Sequence, residues 1–200
     1  MKIEILIAII VGLAFGSFAS ALIHRLHSRE KGLLTGRSKC PKCQTALGPL
    51  QLIPLISYCI QKAKCAFCKE PISYRYPLLE VSMAAFFGLT TYLTEIASLP
   101  WLLYYLFLTF IFVTISFYDL WFKEIPDELS LPTIVVTGVV GHLSGAMNLS
   151  HLWIGFAIPV LFFGGMFLGS RGRWIGGGDV RIGGIMGFVL GYPQILVRLF

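Results

Sequence analysis

Three stretches of this chain contain no Asp, Glu, Lys or Arg: residues 5–23, 96–118 and 129–170. A hydrocarbon core about 30 Å thick is crossed by about 20 apolar residues of α-helix. The first two stretches can each cross once and the third twice. Inside lipid, backbone N–H and C=O groups must find partners within the protein, which restricts these stretches to regular structure. The composition agrees: 56% of residues are hydrophobic and 13% charged, where about 25% charged is usual for a soluble domain. The fold class that follows is an all-α polytopic membrane protein with a small polar insertion. No internal repeat or low-complexity tract is evident.

Six spans are expected, at residues 3–23, 78–97, 100–118, 129–147, 152–169 and 182–199. The second is the least apolar, because Glu80 and Glu95 flank it at both ends. Leu99-Pro100 and Asn148-Leu149-Ser150 supply turns. The organisation is then a first transmembrane helix (1–23), a basic loop (24–77) and a larger membrane domain (78–200). An alternative makes residues 1–21 a cleaved signal peptide, since Ala19-Ser20-Ala21 resembles a cleavage site. The length of the apolar stretch and the basic segment behind it weigh against that. Gly12 and Gly16, followed by Ser20, form a small-residue face suited to close helix packing, and Gly183, Gly187 and Gly191 repeat the spacing.

The net charge is +6. Residues 24–77 hold ten Lys/Arg and two Glu, so the rest of the chain is slightly acidic. A basic loop between spans is a topology signal rather than a nucleic-acid patch, and places itself in the cytoplasm. Counting crossings puts the 119–128 and 169–181 loops on the same side, and Arg171, Arg173 and Arg181 agree. All three aspartates of the chain, Asp119, Asp127 and Asp179, therefore face the cytoplasm.

Cys40-Pro-Lys-Cys43 and Cys65-Ala-Phe-Cys68 form a C-x2-C…C-x2-C pattern. Four thiolates from two tight turns match tetrahedral Zn²⁺, in a closed structural site with no position left for water. Disulfides and a redox C-x-x-C are the alternatives, disfavoured by a reducing compartment and by the duplication. Cys59 reads as a packed or idle thiol. His24 and His27 read as solvated loop residues, with zinc ligation a minor alternative.

Each aspartate has a bland reading: Asp119 capping the exit of a span, Asp127 at a helix start after Pro126, and Asp179 at a helix start after a flexible loop. Against this, Gly176, Gly177 and Gly178 remove side chains and permit unusual φ just before Asp179. Two carboxylates close together in a half-buried site cannot both ionise easily, so one keeps its proton. That is what an aspartic protease requires.

The ordered series of motifs resembles the bacterial type IV prepilin peptidases, aspartic membrane peptidases of the GxGD type. It comprises Phe15-Gly-Ser-Phe18 with Arg25, the two C-x2-C pairs, Leu52-Ile-Pro54 with Ser57, and Ile72 through Glu80. Asp119 through Asp127 and Gly176-Gly-Gly-Asp179-Val-Arg181 complete it. The resemblance implies that Asp119 and Asp179 are the catalytic pair, with Asp127, Gly176, Gly177, Gly178 and Arg181 in support. It implies an enzyme of the bacterial cytoplasmic membrane, cutting prepilins or pseudopilins after a glycine at the cytoplasmic face. It then implies methylation of the new N-terminus from S-adenosylmethionine, an activity associated with the cysteine loop and the surroundings of Glu80. Glu80 also reads as a plain interfacial helix-start carboxylate.

The chain departs from the family in three places. Arg25-Leu-His-Ser lacks the proline that often follows the arginine, Arg181 stands where lysine is more usual, and the chain stops about twenty residues after Asp179. Two rival functions remain: a peptidase without methyl transfer, and a non-catalytic membrane scaffold with a zinc-bound loop.

Overall fold

A computed structural model describes residues 2–29, 32–33, 36–94, 98–145 and 148–199. Among these the chain is helical, with no strand and two isolated β-bridges. In order, the helices are α1 (Lys2–His27), α2 (Ile56–Ile60), α3 (Arg75–Leu93), α4 (Leu99–Phe122), α5 (Asp127–Leu143), α6 (Leu149–Ser170), α7 (Gly177–Leu190) and α8 (Gln194–Leu199). A single 3-10 turn, Pro49–Leu52, precedes α2. The chain divides into two compact units, Met1–Phe117 and Tyr118–Phe200.

Among the described residues, three helices are long and apolar enough to cross a membrane: α1 over Ile3–His27, α4 and α6. α3, α5 and α7 stand where the other three spans are expected, but they are shorter, with 19, 17 and 14 residues. Residues 95–97, with Glu95, and 146–147 end two of the expected spans and lie outside the described residues. The last expected span, 182–199, is not one helix. α7 begins earlier, at Gly177, and stops at Leu190, and α8 begins at Gln194. Gly191 turns the chain with a φ of 65°, and Pro193 has no N–H with which to continue a helical ladder. Leu99-Pro100 and Leu149-Ser150 also differ from expectation, forming the first turns of α4 and α6 rather than turns between helices. Proline in a first turn forfeits no hydrogen bond.

In the first unit, α1 and α3 meet along the predicted small-residue face. A Cβ on Gly12 would lie 2.7 Å from the Ala84 Cα, and one on Gly16 2.6 Å from the Glu80 Cα. Lipid tails are as apolar as leucine, so close backbone approach rather than water exclusion holds such helices together. Phe15 adds ring contacts to Phe87 (5.7 Å) and Phe110 (5.5 Å). Leu6, Ile7 and Ile10 point outward while Ala19 and Ile23 are buried, as suits a helix with apolar surroundings on both sides.

In the second unit α7 packs against α5 and α6. Gly187 lies against the Gly155 carbonyl and Phe156, where a Cβ would come within 2.4 Å of the oxygen. Phe156 stacks on Phe188 at 4.3 Å, over Gly184. The buried hydroxyls of Ser130, Thr133 and Thr137 on α5 donate to carbonyls one turn back, at 2.7–3.0 Å. No described buried side-chain nitrogen or oxygen is left without a partner.

Candidate functional site

The polar loop between α1 and α3 is built on two copies of one turn. Lys39 bridges to Ala46, and Lys64 to Pro71, both antiparallel. In the first copy the Cys40 N–H donates to the Thr45 carbonyl (3.0 Å) and the Gln44 N–H to the Cys40 carbonyl (2.9 Å). In the second the Cys65 N–H donates to the Glu70 carbonyl (2.8 Å) and the Lys69 N–H to the Cys65 carbonyl (3.1 Å). The equivalent Gln44 and Lys69 both adopt positive φ, 57° and 61°. This is an internal repeat that the sequence reading does not detect. The copies share only a lysine and two cysteines, and their likeness lies in the backbone hydrogen bonds.

The repeat brings Cys40, Cys43, Cys65 and Cys68 together, with one sulfur from each lying within 4.8 Å of all the others. Cys40 Sγ and Cys68 Sγ are 3.9 Å apart. All five cysteines are free thiols, so the disulfide alternative is not realised, and Cys59 is exposed. Hydrogen bonds from the Thr45 side chain and backbone hold the Cys43 thiol down to about 6. The Cys65 thiol is lowered by the N–H groups of Cys68 and Phe67. The Glu70 N–H favours the Cys68 thiolate, but burial and the three neighbouring sulfurs outweigh it and push Cys68 up to about 11. Four sulfurs crowded in this way compete for protons, as a metal-ligand set does before it is loaded.

Two buried charged side chains tie this loop to the helices. Arg25, near the end of α1, donates to the carbonyls of Leu33 (2.7 Å) and Gly36. Glu80, in the second turn of α3, accepts the Leu55 N–H at 2.9 Å. Leu55 is held at a φ of 58°, a conformation costly for a branched side chain and sustained only where its surroundings fix it. His24 and His27 are exposed, and neither belongs to the cysteine cluster. The sequence signal for the Arg25 anchor is an arginine at the end of an apolar helix. The Glu80–Leu55 bond has no such signal, because nothing local links positions 25 residues apart.

The three aspartates all lie in the second unit, each at a helix end. Asp119 is half-buried in the last turn of α4, where its carbonyl accepts the Lys123 N–H at 2.7 Å. Asp127 is the first residue of α5 and exposed. Asp179 is exposed in the first turn of α7, its Oδ2 accepting the Gly176 N–H at 3.0 Å. The bland reading of Asp179 as a helix-start carboxylate is thus correct as local structure. Asp127 pairs with Arg181, whose Nη1 also donates to Ser130 Oγ at 3.2 Å. Ser130 is a partner that sequence reasoning misses; its only signal is a position one turn after Asp127 on the same helix. Asp119 and Asp179 share no direct hydrogen bond among the described residues.

The glycines differ from expectation in one respect. None of Gly176, Gly177 and Gly178 uses positive φ; Gly176 is extended (φ −77°, ψ 155°) and the other two are helical. What they supply is space. A Cβ on Gly178 would fall 2.6 Å from the Cβ of Ile125, in the segment joining Asp119 to Asp127. At Gly176 and Gly177 nothing outside the local chain comes closer than 3.6 Å.

Residues 10–94 match the family model described as the bacterial peptidase A24 N-terminal domain, and residues 106–200 match the type IV leader peptidase family. A protein of Klebsiella pneumoniae named prepilin leader peptidase/N-methyltransferase is 31% identical, over 82% of each chain. The chain belongs to the type IV leader peptidase family. Proteins of the same name from Neisseria gonorrhoeae (28%) and Bacillus subtilis (29%) align over 97% of this chain and 77% of their own length. No solved structure gives a significant match. Within this leader-peptidase chain, the first family segment covers the Gly12/Gly16 face, the cysteine centre and Glu80. The second covers all three aspartates and Arg181.

Proposed function

We propose that the protein is a membrane aspartyl endopeptidase that removes prepilin or pseudopilin leaders at the cytoplasmic face of the bacterial inner membrane and then N-methylates the new N-terminus. Asp119 and Asp179 are the catalytic pair. One carboxylate takes a proton from the attacking water while the other, protonated, donates to the scissile carbonyl oxygen. The observation that carries this reading is the fastening of the α7 start to the segment bearing the other carboxylates. Gly178 lies against Ile125, and Arg181 holds Asp127 and Ser130. Asp127, Arg181 and the glycines act as positioning residues.

A substrate with its own membrane helix can enter such a site laterally from the bilayer. The four cysteines fit a structural Zn²⁺. Tetrahedral Zn–S bonds of about 2.3 Å require sulfurs about 3.8 Å apart, and Cys40 and Cys68 are at 3.9 Å. Cys40, Cys43, Cys65 and Cys68 would hold the ion and fill it, so that it folds the loop rather than activating water. S-adenosylmethionine would supply the methyl group.

A cleavage assay with purified full-length protein and a synthetic prepilin tests the peptidase. Asp119→Asn and Asp179→Asn are each expected to lower kcat by at least about 1,000-fold, because the pair acts as a unit. Full cleavage by Asp179→Asn would sink the mechanism. Mass spectrometry of the product reads methylation separately.

A further inference from the structure

The loop between α1 and α3 is basic as a whole, but its residues 49–60 carry no Asp, Glu, Lys or Arg. They form the Pro49–Leu52 turn and α2, neither of which contains a buried residue. Leu50 and Ile60 are each 75% exposed, and Ile53 and Ile56 are exposed with them. On α2, Ile56 and Ile60 stand one turn apart on the same face. A surface facing water carries such side chains singly rather than crowded into one short segment.

Two hydrogen bonds set the level at which this segment meets the helices. Ser17 Oγ donates to the Leu52 carbonyl at 3.3 Å, and the Leu55 N–H donates to Glu80 Oε2 at 2.9 Å. Gly16 lies against the Glu80 Cα, so both anchors stand at one level of the α1–α3 pair. The charge-free run of α1 ends at Ile23. Ser17 comes six residues earlier, about 9 Å inside that apolar boundary at about 1.5 Å per residue. Backbone at such depth needs partners other than water. The Gly48 N–H donates to the Gln51 side chain, and those of Gln51, Ser57 and Cys59 donate to the carbonyls of Gly48, Ile53 and Leu55. Pro49 and Pro54 have no N–H to satisfy.

We propose that residues 49–60 are a re-entrant segment seated in the membrane leaflet at the loop end of α1. Leu50, Ile53, Ile56 and Ile60 lie among the acyl chains, and Lys62 and Lys64 reach anionic phosphates of the headgroups. The inference rests on α1 crossing the membrane. Amphipathic segments at the interface sit about 5–10 Å into the boundary between headgroups and acyl chains, the depth at which Ser17 and Glu80 hold this one. Lys62 and Lys64 are exposed and follow the segment directly, where an anionic leaflet attracts them. One cysteine turn precedes the segment in the chain and the other follows it, so its insertion tethers the four-cysteine cluster to the bilayer from both sides.

The test places the photocrosslinker p-benzoylphenylalanine at single positions of the full-length protein in nanodiscs of phosphatidylethanolamine and phosphatidylglycerol. Mass spectrometry then reads lipid adducts. Ile7, which points outward from α1, is the reference for lipid contact. Lys42, exposed on the first cysteine turn, is the reference for water. Crosslinker at Ile56 or at Ile60 is expected to give lipid adduct within about threefold of that at Ile7, and at least about tenfold more than at Lys42. Adding Lys62→Glu with Lys64→Glu is expected to lower the Ile60 adduct by about threefold. Adduct at Ile56 and Ile60 no higher than at Lys42 overturns the insertion while the α1 span stands. Crosslinking to a second copy of the chain in place of lipid overturns it as well. An Ile60 adduct unchanged by the two lysine substitutions overturns the phosphate contact. Crosslinker at Ile7 that captures no lipid overturns the membrane reading of α1, and this inference with it.

Discussion

The Asp179 carboxylate uses one oxygen to hold the Gly176 N–H, and its other oxygen accepts no hydrogen bond from a described residue. A negative charge in the first turn of a helix is also favoured by the exposed N–H groups there. A residue can thus start α7 and remain available for chemistry. Arg181, two residues on, engages Asp127 and Ser130 through its Nη1, which the more usual lysine would do with a single rotating ammonium. The cysteines differ individually as well. In metal-free protein whose two cysteine turns are still folded, Cys43 at about 6 is mostly thiolate at pH 7, whereas Cys68 at about 11 remains a thiol. Since the thiolate is the nucleophile, iodoacetamide at pH 7 is expected to label Cys43 well before Cys68. Peptide mass spectrometry reads the order, and equal labelling would contradict it. Lowering the pH through 6 is expected to slow the Cys43 reaction, as its thiolate takes up a proton.

At the scale of elements, glycine spacing decides which helices touch. The Gly12/Gly16 face and the Gly183/Gly187/Gly191 series were legible as close-packing signals, and both are used. Their partners were not legible, because a small residue marks an approach without naming what approaches. Gly187 meets Gly155 and Phe156, whereas Gly165 on α6 has nothing within 4 Å. Gly187→Ala is therefore expected to destabilise the second unit by about 1–3 kcal/mol through overpacking. Gly165→Ala is expected to be neutral or to stabilise by up to about 1 kcal/mol, because alanine loses less backbone freedom in a helix. Thermal melts in one detergent compare the two, and equal shifts would refute the packing assignment.

For the whole molecule, the loop between α1 and α3 depends on its sulfurs. It has few buried apolar side chains: neither the Pro49–Leu52 turn nor α2 contains a buried residue. Its fixed points are the two cysteine turns, Arg25 and Glu80. Structural zinc in small domains contributes about 10–16 kcal/mol of apparent binding free energy, far more than such a loop gains from packing. Purified protein is expected to hold about one zinc per chain, measured by elemental analysis. Removing it with a chelator, or replacing Cys40 and Cys43 by serine, is expected to open residues 36–73 to limited proteolysis. A loop equally resistant with and without metal would count against the centre.

The sequence by itself determined the environment, because a charge-free stretch of sufficient length has few stable alternatives to a membrane helix. It also picked out the four cysteines that the fold gathers into one cluster, since C-x2-C spacing constrains two sulfurs within one turn. It singled out the aspartates as candidates, through ordered motifs and their likeness to a family. Tertiary structure alone decided how α7 ends, that Gly178 gives room to Ile125 instead of supplying an unusual φ, and that Glu80 reaches the backbone of Leu55. Those outcomes depend on atoms distant in sequence that approach within a few ångströms. Local propensity and periodicity carry no information about such distances.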